Sequence, residues 1–363
     1  MVFLAKIMRA NVVWIIISGI LLVRISGYFS SLPKYPNGTM LKISSKIKSE
    51  PIDYSDSQYF RLKGLKVYLP LYPEVSYGDF VVISGTVEKD ALRNIKLIEV
   101  KPTKSLIYSL RKKLIEFYKS SLPEPGGSLL AGMVIGSKES IPSGFWQELR
   151  NSGTAHIVVA SGTNVSLVAG FIMGCLLLVI NRKKAVLVSI AIVWFYALMA
   201  GFDAPIIRAA AMATIGFTAQ EYGKLYNALR SLLITFVVML LIFPGWITDI
   251  GFWLSFTATA SILIFEPIVY KRIHKVPDII RKDFSTSLSA QVGVAPIIFA
   301  TFGYYSVLSP IANVLVASVV APLTIIGMLA GVIGVVFEPA GRIILLVCYP
   351  LVLWFSGVVG VFG

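Results

Sequence analysis

The residues best suited to chemistry lie in one stretch, Ser152-Gly153-Thr154-Ala155-His156-Ile157-Val158-Val159-Ala160-Ser161-Gly162-Thr163-Asn164-Val165. Hydroxyls, an imidazole and an amide at the start of an apolar run allow three roles. These are a serine nucleophile with a histidine base, polar glue between helices, or the lining of a polar conduit. His156 precedes Ser161 by five residues, which sets them roughly 140° apart on an unbroken helix. A Ser–His dyad therefore needs a break at Gly162, and no G-x-S-x-G elbow is present. Ser161 and Asn164 are three apart and share a helix face.

Arg208 is the second candidate. Asp203 reads as the cap and Pro205 as the first turn of an apolar helix, so Arg208 stands one turn in. A guanidinium there either snorkels to headgroups or faces a water-filled path as a fixed cation. Gln291 and Asn313 fall in later apolar runs, as interhelical hydrogen-bonders or as further lining. His156 and His274 are the only histidines, and Cys175 and Cys348 lie in apolar runs, so a clustered zinc site is excluded. No cofactor is expected and the chain is read as non-enzymatic. It has no P-loop, so any pumping draws on another protein or on the membrane potential.

Composition says what must hold these residues. The chain is 56% hydrophobic and 14% charged, too apolar for one soluble core. Runs near the 20 residues needed to cross a bilayer fall at 11–30, 155–180, 185–202, 205–222, 229–243, 247–269, 284–302, 310–337 and 343–362. The expectation is a polytopic α-helical membrane protein of about nine spans, some broken or re-entrant. Pro322 marks the long 310–337 run as a place for a break. The first run, behind Lys6 and Arg9, reads as an uncleaved anchor. Basic residues recur in alternate loops: Arg182, Lys183 and Lys184; Lys224 and Arg230; Lys271 to Lys282; Arg342. The loops between lack them. That asymmetry puts the N-terminus in the cytoplasm of a cell-membrane protein and residues 34–121 outside.

The outer segment carries 16 Lys/Arg against 9 Asp/Glu, half of the formal +14. Within it, residues 33–104 alternate apolar and polar, with turns at Lys63-Gly64, Gly78-Asp79, Asp90 and Asn94. Four or five short strands of this kind point to a small all-β barrel of OB type. Lys42, Lys46, Lys48, Arg61 and Lys63, interleaved with Tyr59 and Tyr68, could hold a single strand of nucleic acid by charge and stacking. Residues 105–150 read as interfacial amphipathic helices, after the anchor (1–32) and the β domain (33–104) and before the multi-span domain (151–363).

Several stretches together resemble the ComEC-type DNA-internalisation proteins. They are Leu129-Leu130-Ala131-Gly132-Met133-Val134-Ile135-Gly136, Ser152 to Gly162, Arg208-Ala209-Ala210-Ala211-Met212, Gly251-Phe252-Trp253-Leu254-Ser255-Phe256, Ser289-Ala290-Gln291 and Ile311-Ala312-Asn313. The resemblance implies a channel for single-stranded DNA in natural transformation, assisted by separate nuclease, ATPase and other competence proteins. Ser161, Gly162 and Arg208 match its polar stretch and its arginine. Asn164 stands where the family often has histidine, and the usual C-terminal metallo-β-lactamase-like domain is expected to be absent. The competing functions are a transporter or flippase for another anionic solute or lipid, an intramembrane hydrolase using Ser161, and a scaffold. Oligomeric state is not legible.

The charge asymmetry sets a labelling test. Cysteines placed at Ser57 or Asn94 should react with an impermeant maleimide in intact cells, and one at Lys183 should not. Labelling at Lys183 would reverse the orientation.

Overall fold

The computed structural model describes residues 2–33, 35–47, 51–53, 57–103, 105–138, 141–159, 161–303 and 305–363, so Lys48 lies outside the described residues. A first helix, α1 (Val2–Ser31), leads into six strands: β1 (Met40–Lys46), β2 (Ile52–Asp53), β3 (Ser57–Leu62), β4 (Leu65–Pro70), β5 (Phe80–Glu88) and β6 (Ala91–Lys101). Then come α2 (Leu106–Ser121), α3 (Gly126–Ile135), α4 (Ser143–Asn151), α5 (Ala155–Val158), α6 (Gly162–Leu177), α7 (Arg182–Met199), α8 (Ala204–Glu221) and α9 (Ala228–Ile242). The chain finishes with α10 (Ile250–Arg272), α11 (Asp278–Phe302), α12 (Ser309–Val336) and α13 (Glu338–Phe362). Five of these are long and apolar enough to cross a membrane: α1 over Trp14–Ser31, α10, α11, α12 and α13.

Local chemistry sets the helix ends. Asn181, Asn227 and Asp249 each accept the backbone N–H three residues on, opening α7, α9 and α10. Gly136 and Gly303 take the left-handed conformation that closes α3 and α11. Asp203 departs from the expected cap. It precedes α8, yet its carboxylate pairs with Lys138 at 3.2 Å and makes no capping bond. The 310–337 run departs as well, because α12 passes through Pro322 unbroken. The break falls in the 155–180 run, between α5 and α6.

The strands form one sheet in the order β1-β5-β6-β4-β3-β2, antiparallel except where β4 runs parallel to β6. Ile43, Phe60, Val67, Val81, Ile83 and Val87 fill its core. Gly85 faces inward where the ladder slips between Ser84 and Thr86. A Cβ there would stand 2.8 Å from Leu92 and 2.9 Å from the Arg93 carbonyl. The buried Gln58 amide donates to the Pro70 and Pro73 carbonyls and accepts from Val75 N–H, bracing the loop after β4. Asp79 accepts from Ser76 and Thr103 N–H, fixing the exit toward α2.

The α2 helix differs most from expectation. Instead of lying free at an interface it packs on α3 and α12, with Arg111, Phe117 and Tyr118 buried. Its rings enter a glycine groove on α12: a Cβ on Gly331 would strike Tyr118 and one on Gly334 would strike Phe117, while Tyr118 Oη donates to Gly327 O at 2.8 Å. On α3 all ten residues are buried. Arg111 donates to the carbonyls of Ile135 and Met199, at the ends of α3 and α7. Its guanidinium also lies 5.9 Å from the centre of the Tyr77 ring. Tyr77 in turn packs edge-on to Tyr108 and donates to Gly201 O at 3.4 Å, which docks the β-sheet on the α7–α8 corner. Burial at this junction pushes the Tyr77 phenol up to about 12, so it stays a neutral donor.

The glycine groove yields a stability test. Gly331→Ala should destabilise the protein by about 1–3 kcal/mol through overpacking. Tyr118→Phe should cost about 1 kcal/mol for the lost hydrogen bond. The double variant should cost less than the two together, because the hydroxyl that clashes is gone. Additive melting shifts in detergent would mean that the groove does not hold Tyr118.

Candidate functional site

Five helices close into a ring. The α6 helix packs on α8, α8 on α10, α10 on α11, α11 on α12, and α12 returns to α6. Arg208 stands on the second turn of α8 and reaches both of that helix's ring neighbours. Its Nε donates to Ser255 Oγ of α10 at 2.8 Å. Its Nη2 fills the space beside Gly162, the first residue of α6, where a Cβ would stand 2.5 Å away. The side chain is half-buried and bridges the α6 and α10 sides of the ring. Among the described residues no carboxylate lies within ion-pair distance of it.

The broken helix supplies the other polar groups. Ser161 is the N-cap of α6, and its Oγ accepts Asn164 N–H at 3.3 Å. His156 is exposed, and its Nδ1 lies 3.0 Å from Gly153 O. The break that a Ser–His dyad requires is present, but among the described residues no hydrogen bond joins Ser161 to His156. Gly153 is tight against Ser309 at the start of α12, and Ser309 Oγ accepts from the Gln291 amide of α11. Two polar pairs, His156 with Gly153 O and Gln291 with Ser309, thus meet where Gly153 packs on Ser309. Asn313 donates to Ser287 Oγ at 3.2 Å, and Thr286 to Glu266 at 3.1 Å, so the α10–α11 and α11–α12 seams are also polar. Asn313 Oδ1 and Ser289 Oγ are buried without a protein partner, as groups served by water or cargo are.

Asn164 is placed differently from the other candidates. It is fully buried, and its amide donates to Met133 O of α3 and Ile157 O of α5. That makes it a brace between the break and α3. Sequence reasoning passed over Ser255 and Ser309 as partners; the Trp253-Leu254-Ser255-Phe256 stretch was the available signal for the first. Among the described residues no group of three His, Cys, Asp or Glu could hold a metal.

On the sheet, the candidate contacts fall on two strand groups. Tyr59 and Tyr68 are cross-strand partners on β3 and β4, ring centres 5.0 Å apart, with Arg61 Nε donating to Tyr59 Oη. Lys63 occupies the β3–β4 turn with positive φ. Lys42 and Lys46 project from β1 and are exposed, paired across to Ser84 and Phe80. The sheet presents a small aromatic platform and a separate basic strand.

Long apolar helices, five helices in a contact ring that Arg208 bridges, and a docked β-sheet define a helical membrane protein. The chain belongs to the Competence protein family, which matches residues 133–363. It is 25% identical over 228 residues to ComE operon protein 3 of Bacillus subtilis strain 168, covering 62% of this chain and 29% of that protein. Competence protein ComA of Neisseria gonorrhoeae is 29% identical over 147 residues, 38% of this chain and 21% of its own. The uncharacterized protein YcaI of Escherichia coli K12 is 25% identical over 239 residues, 62% and 31% respectively. The chain spans less than a third of the length of these three relatives. No solved structure matches it. The ComEC-type resemblance of the sequence therefore holds.

The capping role of Ser161 is directly measurable. Ser161→Ala should lower stability by about 0.5–2 kcal/mol, and Ser161→Asn, which also caps, should recover most of it. Equal melting temperatures for all three would remove the cap.

Proposed function

We propose that this chain forms the path by which a single DNA strand crosses the cytoplasmic membrane during competence, without itself performing hydrolysis. The observation that carries the proposal is Arg208, a half-buried guanidinium that has no carboxylate partner among the described residues and reaches two helices of a closed ring. A single strand bears one negative charge per nucleotide and sheds water on entering a narrow, low-dielectric passage. A fixed cation there attracts it far more strongly than one in bulk water. The polar seams formed by His156, Gln291 and Asn313 would replace lost hydration further along.

In this proposal α1 and α6 to α13 are nine spans, the shorter ones met by local thinning of the bilayer. The N-terminus is cytoplasmic and the sheet is an external OB-type domain. Its order, with β1 beside β5 and β4 parallel to β6, supports that assignment. Tyr59, Tyr68 and Arg61 would stack on bases while Lys42, Lys46 and Lys63 hold phosphates. Separate nuclease, ATPase and other competence proteins would act with it. The names of the Bacillus and Neisseria relatives support the competence setting.

A graded series at Arg208 tests the path. Arg208→Lys keeps charge but loses the forked donors and should reduce uptake of labelled single strands moderately. Arg208→Gln should reduce it about ten-fold or more, and Arg208→Glu should nearly abolish it. Uptake is normalised to inserted protein. A flat series at equal abundance would remove Arg208 from the path.

A further inference from the structure

Outside the ring, a crevice of about 520 Å³ opens between the start of α7 and the end of α8. Val186, Leu187 and Ile190 of α7 form its apolar wall; Lys183 stands at one side and Glu221 with Tyr222 at the other. Two opposite charges therefore flank an apolar slot. Leu187 and Tyr222 are largely exposed, so the slot is open laterally. Glu221 is only loosely satisfied: Arg182 Nε lies 3.8 Å from its Oε2, beyond hydrogen-bond reach, and that buried oxygen has no donor. Arg182 instead donates to Gln220 O. Lys183 is exposed on the first turn of α7, where the helix dipole also favours a phosphate.

We propose that this crevice binds a phospholipid whose headgroup carries a primary ammonium. The phosphate would sit on Lys183, the ammonium would donate to the Glu221 carboxylate in competition with its long ion pair to Arg182, and an acyl chain would lie along Val186, Leu187 and Ile190. Charge complementarity selects this lipid class. An anionic headgroup without an amine would meet the Glu221 carboxylate, and a quaternary ammonium has no proton to donate to it. The crevice shares none of the residues assigned to the proposed path, so its test is separate from that of the cargo.

The test uses the full chain, purified and delipidated, with lipids of identical acyl chains titrated in native mass spectrometry. Phosphatidylethanolamine should be retained about ten-fold more tightly than phosphatidylcholine or phosphatidylglycerol, the scale of one charge-assisted hydrogen bond. Glu221→Gln should remove the preference for ethanolamine over choline while leaving binding of both. Lys183→Gln should weaken all three lipids. Leu187→Trp, on an exposed position, should block binding without touching either charge, and gel filtration reports whether each variant is folded. Equal retention of ethanolamine and choline lipids by the parent protein would overturn the proposal. So would a preference for phosphatidylglycerol, or an ethanolamine preference that survives Glu221→Gln in folded protein.

Discussion

Arg111 sets the geometry on which the remaining architecture depends. The residue is 5% exposed, and its guanidinium joins the carbonyl ends of two helices, Ile135 on α3 and Met199 on α7. The last carbonyls of a helix carry a partial negative charge and lack intrahelical partners. One buried cation satisfies two such ends and is itself compensated by them. The corner that follows α7 is held beside it by the Lys138–Asp203 pair and by Tyr77 on Gly201. The α8 helix starts from that corner, so the position of Arg208 inherits the placement of Arg111. Arg24 repeats the device at the periphery, donating from α1 to Leu241 O near the end of α9.

Two arginines a few turns apart thus do opposite things. Arg111 meets helix carbonyls on both sides and is spent on structure. Arg208 meets a serine hydroxyl, the thioether of Met212 and a glycine that leaves room for it. None of the three neutralises its charge. A guanidinium in hydrocarbon would be costly under those terms, which is the cost that the proposed water-filled path removes. Gly162 matters for the same reason, since any side chain there would displace the guanidinium from the position it shares between α6 and α10.

Much of this was legible in the sequence, and the limits have physical causes. Apolar runs located the helices because burial in lipid demands long uninterrupted hydrophobicity, and alternation located the strands because side chains alternate across a sheet. Arg208 stood out because charge is rare in such runs. Arg111 did not, because it sits among Lys112, Lys113 and Lys119 on a helix whose pattern also fits an interface, and its carbonyl partners leave no mark in the sequence. Asp203 takes the expected N-cap position of α8 but makes no capping bond, because its carboxylate is held by Lys138, a partner distant in sequence that local propensity does not reveal. The break between α5 and α6 was anticipated only as a condition, since polar residues before Gly162 suit a turn and a helix start equally well.

The α3 helix has a consequence for how the protein comes to exist. Its ten residues span about 15 Å, half the hydrocarbon thickness. Its neighbours include α12 and α13, which follow it far along the chain and are synthesised well after it. Until they emerge from the ribosome, Gly126 to Ile135 is a segment too short to be threaded across the bilayer alone and too apolar to rest in water. Biogenesis must therefore proceed in two stages, long helices laid down first and the half-length helix drawn in afterwards. A chain arrested before α12 would offer this stretch to the membrane insertion and quality-control machinery as an unfinished span.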